Sequence, residues 1–245
     1  MKNNIKLLED SILINNKILV IGDLHLGYEE VMGDFSLIPK FQYKETLEKL
    51  NRIFSRFSRD KIKPEKIIIL GDLKHEFSRN INSEWRETLK LLDFLKDKCK
   101  EIVIVRGNHD NYLMNILEKR GIKLLDFYKY KEFCFFHGDI IFNKCNDCEI
   151  LIVGHLHPAI TLSDSYKCEK YKCFLKGELK GKLVYIVPSF IPISLGYDLS
   201  NIKSWKDKKF DFIISDKELK KFEVIIYNEK EDKIYLFGKL GKIVG

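Results

Sequence analysis

Apolar runs alternate with amphipathic stretches along the N-terminal two thirds of the chain. Five of the runs are short, are apolar through their centre and lead directly into polar turns, which is typical of buried strands. The predicted strands lie within residues 17–23, 65–72, 101–110, 132–139 and 149–158. Because helical stretches separate the first three strands, the pattern predicts β-α-β units.

Two amphipathic helices are predicted between the first three strands. The first begins at Pro39, because proline suits the first turn of a helix. Its predicted buried stripe comprises Phe41, Leu47, Leu50, Ile53, Phe54 and Phe57. The second helix covers residues 83–100 and follows a cap at Asn82 or Ser83. Its predicted buried stripe comprises Trp85, Leu89, Leu92 and Leu95.

The C-terminal third of the chain has the pattern of β-hairpins. One predicted hairpin covers residues 172–190, with Gly177 and Gly181 marking its reversal. A second covers residues 222–240, with its tip at residues 228–232. Early β-α-β units and late hairpins together predict an α/β (α+β) fold with a mixed sheet, or two packed sheets, flanked by helices.

Composition favours a soluble protein. No apolar run approaches the roughly 20 residues that a transmembrane helix needs. The first 23 residues carry scattered charges instead of the uninterrupted apolar core of a signal peptide. The net charge of +7 gives a modest preference for polyanionic partners. We therefore expect a cytoplasmic protein with no membrane partner and, because no linker rich in proline, glycine and serine divides the chain, one domain over residues 1–245.

Six cysteines lie at positions 99, 134, 145, 148, 168 and 173. Cys145 and Cys148 have the spacing of a structural zinc ligand pair, whereas Cys168 and Cys173 are spaced loosely for one. Reduced, partly buried thiols are the favoured interpretation. A zinc site and a disulfide remain as alternatives.

The five predicted strands end in polar segments that share one chemistry. These segments are residues 22–27, 71–77, 107–110, 137–139 and 154–158. They contain all six histidines of the chain, which are His25, His75, His109, His137, His155 and His157. Strands of an open α/β sheet present their carboxyl ends to one crevice, where ligands bind. A lone histidine there is more often structural, but the confinement of all six indicates a site.

Two pairs of residues in these segments have the spacing of chelating side chains. Asp23 and His25 are two residues apart, as are His155 and His157. Residues two apart in an extended segment point to the same side, so each pair can reach one metal ion. Together the five segments supply carboxylate, amide and imidazole groups but no thiolate, which suits manganese, iron or zinc.

The ordered series of these motifs resembles the calcineurin-like metallophosphoesterase family. The series is Asp-x-His, Gly-Asp, Gly-Asn-His-Asp, His and Gly-His-x-His, and it extends from residue 18 to residue 158. The resemblance implies a four-layer αββα sandwich, in which two mixed β-sheets pack face to face with flanking helices outside. It also implies a phosphoesterase with two divalent cations bridged by one carboxylate, for which manganese is favoured and iron, nickel or zinc are alternatives.

The resemblance assigns a role to one or more residues at each motif. The first cation is expected on Asp23, His25 and His157, the second on Asn108, His137 and His155, with Asp72 bridging both. Two cations about 3.5–4 Å apart can share the hydroxide that attacks the phosphorus. His109 adjoins Asn108 and is expected to act as the general acid, or to stabilise charge on the leaving oxygen.

One position departs from the pattern of many family members. The phosphoprotein phosphatases carry Gly-Asp-x-x-Asp at the second motif, whereas this chain has His75 in Gly-Asp-Leu-Lys-His. A histidine there is similar to the repair-nuclease branch represented by SbcD, including archaeal SbcD-related proteins and phosphoesterases encoded beside bacterial DNA ligases. His75 is therefore a second candidate catalytic residue. The expected substrate is a phosphodiester of nucleic acid or nucleotides, with single-stranded or short nucleic acid as the expected partner.

Two other functions remain open from the sequence. The same site could hydrolyse phosphomonoesters, either small molecules or phosphoproteins, although His75 argues against this. The fold could also serve as a binding module that has lost catalysis. Such modules typically lack the catalytic histidine or some ligands, whereas this chain keeps all seven ligand positions and His109.

Overall fold

The computed structural model describes residues 3–30, 41–76, 82–164, 166–201 and 211–244. These residues form sixteen strands and four α-helices. The strands are β1 (Ile5–Leu8), β2 (Ser11–Ile14), β3 (Ile18–Ile21), β4 (Lys66–Ile69), β5 (Glu101–Val105), β6 (Leu124–Leu125), β7 (Tyr128–Tyr130), β8 (Phe133–Phe136), β9 (Ile150–Val153), β10 (Pro158–Ser163), β11 (Cys168–Lys172), β12 (Phe174–Leu179), β13 (Lys182–Ile186), β14 (Tyr197–Asp198), β15 (Glu223–Asn228) and β16 (Lys233–Lys239). The helices are α1 (Gln42–Arg59), α2 (Asn82–Lys96), α3 (Met114–Glu118) and α4 (Asp216–Leu219).

Two mixed sheets organise the fold. The first has the order β1-β2-β3-β4-β5-β6, and its strands β3 to β6 are parallel. The second has the order β16-β15-β12-β13-β9-β8-β7, and its strands β8, β9 and β13 are parallel. A small third sheet has the order β11-β10-β14. Its strand β10 follows β9, the last of the five predicted strands, in the chain.

The first sheet is buried on both faces. Successive side chains of a strand point to opposite faces. Val20 therefore packs in one cluster with Phe135 of the second sheet. Its neighbour Leu19 packs in another cluster with Ile53 of α1 and Leu92 of α2. The two sheets thus face each other and helices cover the outside of the first, which confirms the predicted sandwich of mixed sheets with flanking helices.

All five predicted strands are present, but each is shorter than its predicted range. They end before their polar turns, because the turns carry the charged residues. The two late hairpins are also confirmed as β12–β13 and β15–β16. Gly181 lies in the first hairpin's turn, with a φ of +76°. The predicted role of Gly177 is wrong, since it lies inside β12, where a Cβ atom would come within 2.4 Å of the Phe222 ring.

The first predicted helix is present with shifted bounds. It begins at Gln42, and the predicted start at Pro39 lies outside the described residues. Phe41 precedes the helix and is 44% exposed, so its predicted burial is wrong. No described helix has the length and apolar character needed to cross a membrane.

The second helix confirms half of its predicted buried stripe, since Leu92 and Leu95 are fully buried. Its fully buried side chains are Glu84, Thr88, Leu91, Leu92 and Leu95. Trp85 and Leu89 are only partly buried, because the face that meets the sheet begins at Glu84. The prediction that Ser83 caps this helix is wrong, since Ser83 lies within the first turn and donates a hydrogen bond to Glu30.

A disulfide joins Cys134 of β8 to Cys145. The prediction of reduced thiols is therefore wrong for these two residues, whose Cα atoms the fold brings within 5.9 Å of each other. It is confirmed for the free thiols at positions 99, 148, 168 and 173. In the described ranges, no group of side chains that could hold a metal ion includes a cysteine.

Candidate metal centre

The predicted site residues follow the carboxyl ends of five parallel strands, three in the first sheet and two in the second. Asp23 and His25 follow β3, Asp72 follows β4, Asn108 and His109 follow β5, His137 follows β8, and His155 and His157 follow β9. Because the sheets face each other, these ends meet at one edge of the sandwich. The structure places all seven predicted metal ligands there, together with His75 and His109.

Asp23, His25 and His157 form the first group of donors. Their ligand atoms all lie within 4.8 Å of one another. His157 Nε2 is 3.3 Å from Asp23 Oδ1 and 3.3 Å from His25 Nε2. The backbone N–H of His155 donates to both oxygens of Asp23, at 3.2 and 3.0 Å. This buried carboxylate is therefore held in a fixed orientation.

Asp72, His137 and His155 form the second group. Their ligand atoms also lie within 4.8 Å of one another. His155 Nδ1 is 2.9 Å from His137 Nε2. Asn108 Oδ1 lies 3.1 Å from the same His137 nitrogen. The amide oxygen of Asn108 thus adds a fourth donor to this group.

Asp72 lies between the two groups. Its Oδ2 is 3.5 Å from His25 Nε2 in the first group and 3.3 Å from His137 Nε2 in the second. Its Oδ1 accepts the backbone N–H of His109 at 2.9 Å. One oxygen of one carboxylate therefore reaches both groups, which is the geometry that a bridging ligand needs.

Two histidines of the second group are oriented by backbone carbonyls. His137 Nδ1 lies 2.8 Å from the oxygen of Leu70, and His155 Nε2 lies 2.9 Å from the oxygen of Asp211. A carbonyl oxygen only accepts, so these nitrogens carry the proton. In its neutral form, each ring then directs the lone pair of its other nitrogen at the group, which is how metal-binding histidines are usually held.

The backbone of the ligand-bearing turns is strained. Asp23, His25, Asp72, His155 and His157 all have φ between 45° and 67°. This left-handed region is unfavourable for residues other than glycine, and such conformations persist only where the surroundings enforce them. Backbone strain of this kind clusters at functional sites.

Glycines let the strand ends approach one another closely. A Cβ atom on Gly107 would lie 2.2 Å from Asp72 Oδ1, and one on Gly154 would lie 2.6 Å from Asp23 Oδ2. The glycines that precede Asn108 and His155 in their motifs therefore leave the space that the two buried carboxylates occupy.

Asp110 is a buried carboxylate that holds the turn of Asp72. It accepts the backbone N–H groups of Gly107, Asp72 and Leu73 at 2.9, 2.9 and 3.1 Å. Burial, and then the charge of Asp72, raise the pKa of Asp110 to about 7. The sequence shows Asp110 in the Gly-Asn-His-Asp motif, but only the fold reveals that it points inward.

Gln42 anchors the turn of His25 to α1. It is the only glutamine of the chain and is buried at the start of the helix. Its side-chain amide donates to the carbonyls of Leu24 and His25 at 3.0 and 2.7 Å. No motif marks this residue, because its partners are backbone groups that belong to a distant turn.

Asp23 and Asp72 are fully buried carboxylates whose ion pairs, in the described part of the chain, are all with histidines. Burial alone would raise the pKa of both carboxyl groups, but His157 lowers the pKa of Asp23 and His137 lowers that of Asp72. Burial opposes protonation of His137 as well, yet the two carboxylates raise its pKa to about 10. The site therefore attracts positive charge, and its oxygen and imidazole donors fit divalent cations of borderline hardness.

His75 and His109 lie beside the two groups of donors, and with His25 they form a third group whose ring nitrogens lie within 4.8 Å of one another. Their rings stack with centroids 5.3 Å apart, and His109 Nδ1 donates to the backbone carbonyl of His75. His75 Nδ1 is 3.2 Å from His25 Nδ1, and the ring of Tyr28 packs edge-on against His75 at 4.8 Å. Burial, and then His109, lower the pKa of His75 to about 4, so this imidazole is neutral near pH 7. Both histidines therefore adjoin the donors through ring and backbone contacts.

Carboxylate, amide and imidazole donors gathered at the strand ends of a two-sheet sandwich define a class of protein, the metal-dependent phosphoesterases. The chain belongs to the calcineurin-like phosphoesterase family, whose sequence model matches residues 16–215. Membership implies divalent metal ions, and the two groups of donors described above are candidate sites for them.

Several solved structures are similar to this chain in fold. Nuclease MPE from Pseudomonas putida has a TM-score of 0.62 at 17% identity, with 95% of this chain and 94% of that chain covered. The phosphoesterase YfcE from E. coli has a TM-score of 0.43 at 13% identity, with 89% and 95% covered. Vps29 complexed with zinc, from Entamoeba histolytica, has a TM-score of 0.37 at 14% identity, with 89% and 96% covered. No curated protein matches the chain in sequence. The likeness to nuclease MPE shows a shared fold.

Proposed function

We propose that this protein hydrolyses phosphodiester bonds of nucleic acid or nucleotides with the help of two divalent cations. One cation would be held by Asp23, His25 and His157. The other would be held by Asn108, His137 and His155, and Asp72 would bind both. When bound, the cations supply a nucleophile at neutral pH and neutralise charge on the attacking and leaving oxygens. Manganese is the metal we favour for this set of oxygen and imidazole donors.

His109 is the proposed proton donor. Its Nδ1 donates to the carbonyl of His75, so this nitrogen carries a proton in either charge state of the ring. Nε2 can therefore donate only when the ring is protonated. Release of that proton to the leaving oxygen returns the ring to its neutral form with the bond to His75 intact. One nitrogen fixes the orientation and the other transfers the proton, which suits a general acid.

The observation that carries the preference for diesters is the placement of His75. A cation held by His25 through Nε2 leaves the proton on His25 Nδ1, which then donates to His75 Nδ1, 3.2 Å away. The proton of the neutral His75 ring is then on Nε2, where it can be donated to the oxygen of the second ester group of a diester. An ionised aspartate at this position has no proton to donate.

His75 also supports the finer assignment to the branch that contains the SbcD-related and ligase-associated phosphoesterases. The similar structure from Pseudomonas putida is a nuclease, but 17% identity supports only the fold. The net charge of +7 suits a polyanionic substrate without selecting one. The proposed substrate class therefore rests on His75.

His75→Ala should reduce hydrolysis of diesters far more than hydrolysis of monoesters. The variant loses the donor to the second ester group, which a monoester lacks. His75→Asp should shift the preference towards monoesters, because an ionised carboxylate only accepts hydrogen bonds and cannot donate to the second ester group. The measurement is kcat/KM for bis-p-nitrophenyl phosphate and p-nitrophenyl phosphate in the wild type and both variants.

His75→Asn is the matched control for this experiment, because its amide keeps a neutral N–H donor without an imidazole. We expect it to retain more of the diester preference than His75→Ala. Parallel losses on both substrates in all three variants would leave His75 as a residue that only positions His109. The diester proposal would then lose its support.

A further inference from the structure

Glu84 is a buried carboxylate in the first turn of α2, outside all five sequence motifs. Its side chain is 2% exposed. Thr88, Leu91 and Leu95 follow it at helical spacing, so Glu84 begins the stripe that faces the core. Carboxylates are almost never fully buried unless they are paired. The partners of Glu84 therefore explain why it is there.

Glu84 holds three consecutive residues that follow the turn of Asp72. Its Oε1 accepts the backbone N–H groups of His75 and Glu76 at 2.7 and 2.9 Å. Its Oε2 is 3.9 Å from Nζ of Lys74, whose side chain is only 1% exposed. Lys74 in turn donates to the backbone carbonyl of Glu76. One carboxylate thus fixes the backbone of this segment from the side of the helix.

The segment fixed by Glu84 is the one that orients His109. The carbonyl of His75 accepts the Nδ1–H of His109, while the N–H of His75 reaches Glu84. The same N–H lies 2.9 Å from the carbonyl of Leu26, in the turn after His25. Glu84 also packs against Gly27, where a Cβ atom would lie 3.1 Å from Oε1. Glu84 therefore lies between the turn after His25 and the segment after Asp72.

We propose that Glu84 is a positioning residue for hydrolysis. Its carboxylate fixes the backbone at His75 and Glu76, and through the His75 carbonyl it sets the orientation of His109. Burial raises the pKa of Glu84, and the backbone N–H of Glu76 and then the charge of Lys74 oppose that shift. This inference rests on the proposed roles of His75 and His109. Placement matters for such roles, because a shift of about 1 Å in a reacting group can cost about 10²-fold in rate.

A single substitution at Glu84 would mix two effects, since breaking a buried ion pair destabilises the fold by itself. Two double variants separate them. Lys74→Met with Glu84→Gln removes both charges but keeps a carbonyl oxygen that can accept both N–H groups. Lys74→Met with Glu84→Leu removes both charges and the acceptor. The two variants differ only at one side chain of similar size.

We expect the variant with Glu84→Gln to hydrolyse an oligonucleotide with a kcat close to that of the wild type. The variant with Glu84→Leu should show a kcat lower by about 10- to 10²-fold, with little change in KM or metal content. The loss should be smaller for bis-p-nitrophenyl phosphate, whose leaving group hardly needs a proton. Equal kcat in the two double variants would overturn the proposal and leave Glu84 as a packing residue.

Amide hydrogen exchange of the metal-free protein tests the same contacts without any turnover. Glu84→Asp keeps a negative charge that can pair with Lys74. Its side chain is one methylene shorter, so the carboxylate moves away from the backbone N–H of Glu76. The amide of Glu76 should then exchange roughly tenfold faster or more, because it loses a hydrogen bond to a charged group. The amide of His75 also donates to the carbonyl of Leu26, so its exchange should change less. Unchanged exchange at Glu76 would overturn the proposal, and this readout stays valid even if His109 is not the proton donor.

Discussion

Replacing Asp72 with alanine should abolish binding of both divalent cations and with it all hydrolysis. Oδ2 of Asp72 lies 3.5 Å from His25 Nε2 and 3.3 Å from His137 Nε2, so one atom serves both groups of donors. Its loss leaves Asp23 as the remaining carboxylate of the site and removes negative charge from both groups. Metal analysis of the dialysed variant beside the wild type measures the effect directly.

Asp164→Ala is the matched control for this substitution. Asp164 is exposed in the turn between β10 and β11, and it belongs to none of the groups of metal donors. The same change of side chain there should leave the metal content and turnover intact. If the Asp72→Ala protein still carried about two equivalents of metal, the assignment of Asp72 as the bridge would be wrong.

His109→Ala should keep its metals and its fold while losing about 10²- to 10⁴-fold in turnover, the usual contribution of a general acid. His109 adjoins the ligand Asn108 but is not itself among the proposed ligands. The loss should be largest for substrates with poor leaving groups, because nitrophenolate leaves almost as well without a proton. Rates for a series of diesters with different leaving groups measure this dependence.

His109→Gln separates proton transfer from simple stabilisation of charge. A glutamine amide can donate a hydrogen bond but cannot release a proton at neutral pH. If His109 is the acid, the glutamine variant should be nearly as slow as the alanine variant with poor leaving groups. Recovery of most of the rate by glutamine, or equal losses across all leaving groups, would rule out the acid role.

The strands and the candidate metal site could be predicted from the sequence because each strand end combines two local signals. An apolar run such as residues 67–70 marks a buried strand, and Gly71 and Asp72 directly after it mark the turn at the end. The fold then places these ends at one edge through the parallel pairing of β3, β4 and β5. Local patterns locate the site because every proposed ligand lies within a few residues of a strand, and the resemblance to the family assigns the ligands to the two cations.

The residues that hold the turns of the metal site in place could not be predicted, because their partners lie in segments that are distant in the chain. Glu84, Gln42 and Asp110 are polar residues in positions that look exposed in the sequence, yet all three are buried. Each is held by backbone groups of a turn on another element. The disulfide of Cys134 was missed for the same reason, since its partner lies outside β8. Periodicity does not mark Glu84 either, since the buried stripe predicted for its helix begins at Trp85.

The most direct test of the proposed two-metal diesterase is the substrate preference of the wild-type protein loaded with manganese. The measurement is kcat/KM for bis-p-nitrophenyl phosphate and for p-nitrophenyl phosphate, on a preparation that carries about two manganese ions per chain. We predict a higher value for the diester, lost on chelation and restored when manganese is returned. A higher value for the monoester, or full activity after the metals are removed, would contradict the proposal.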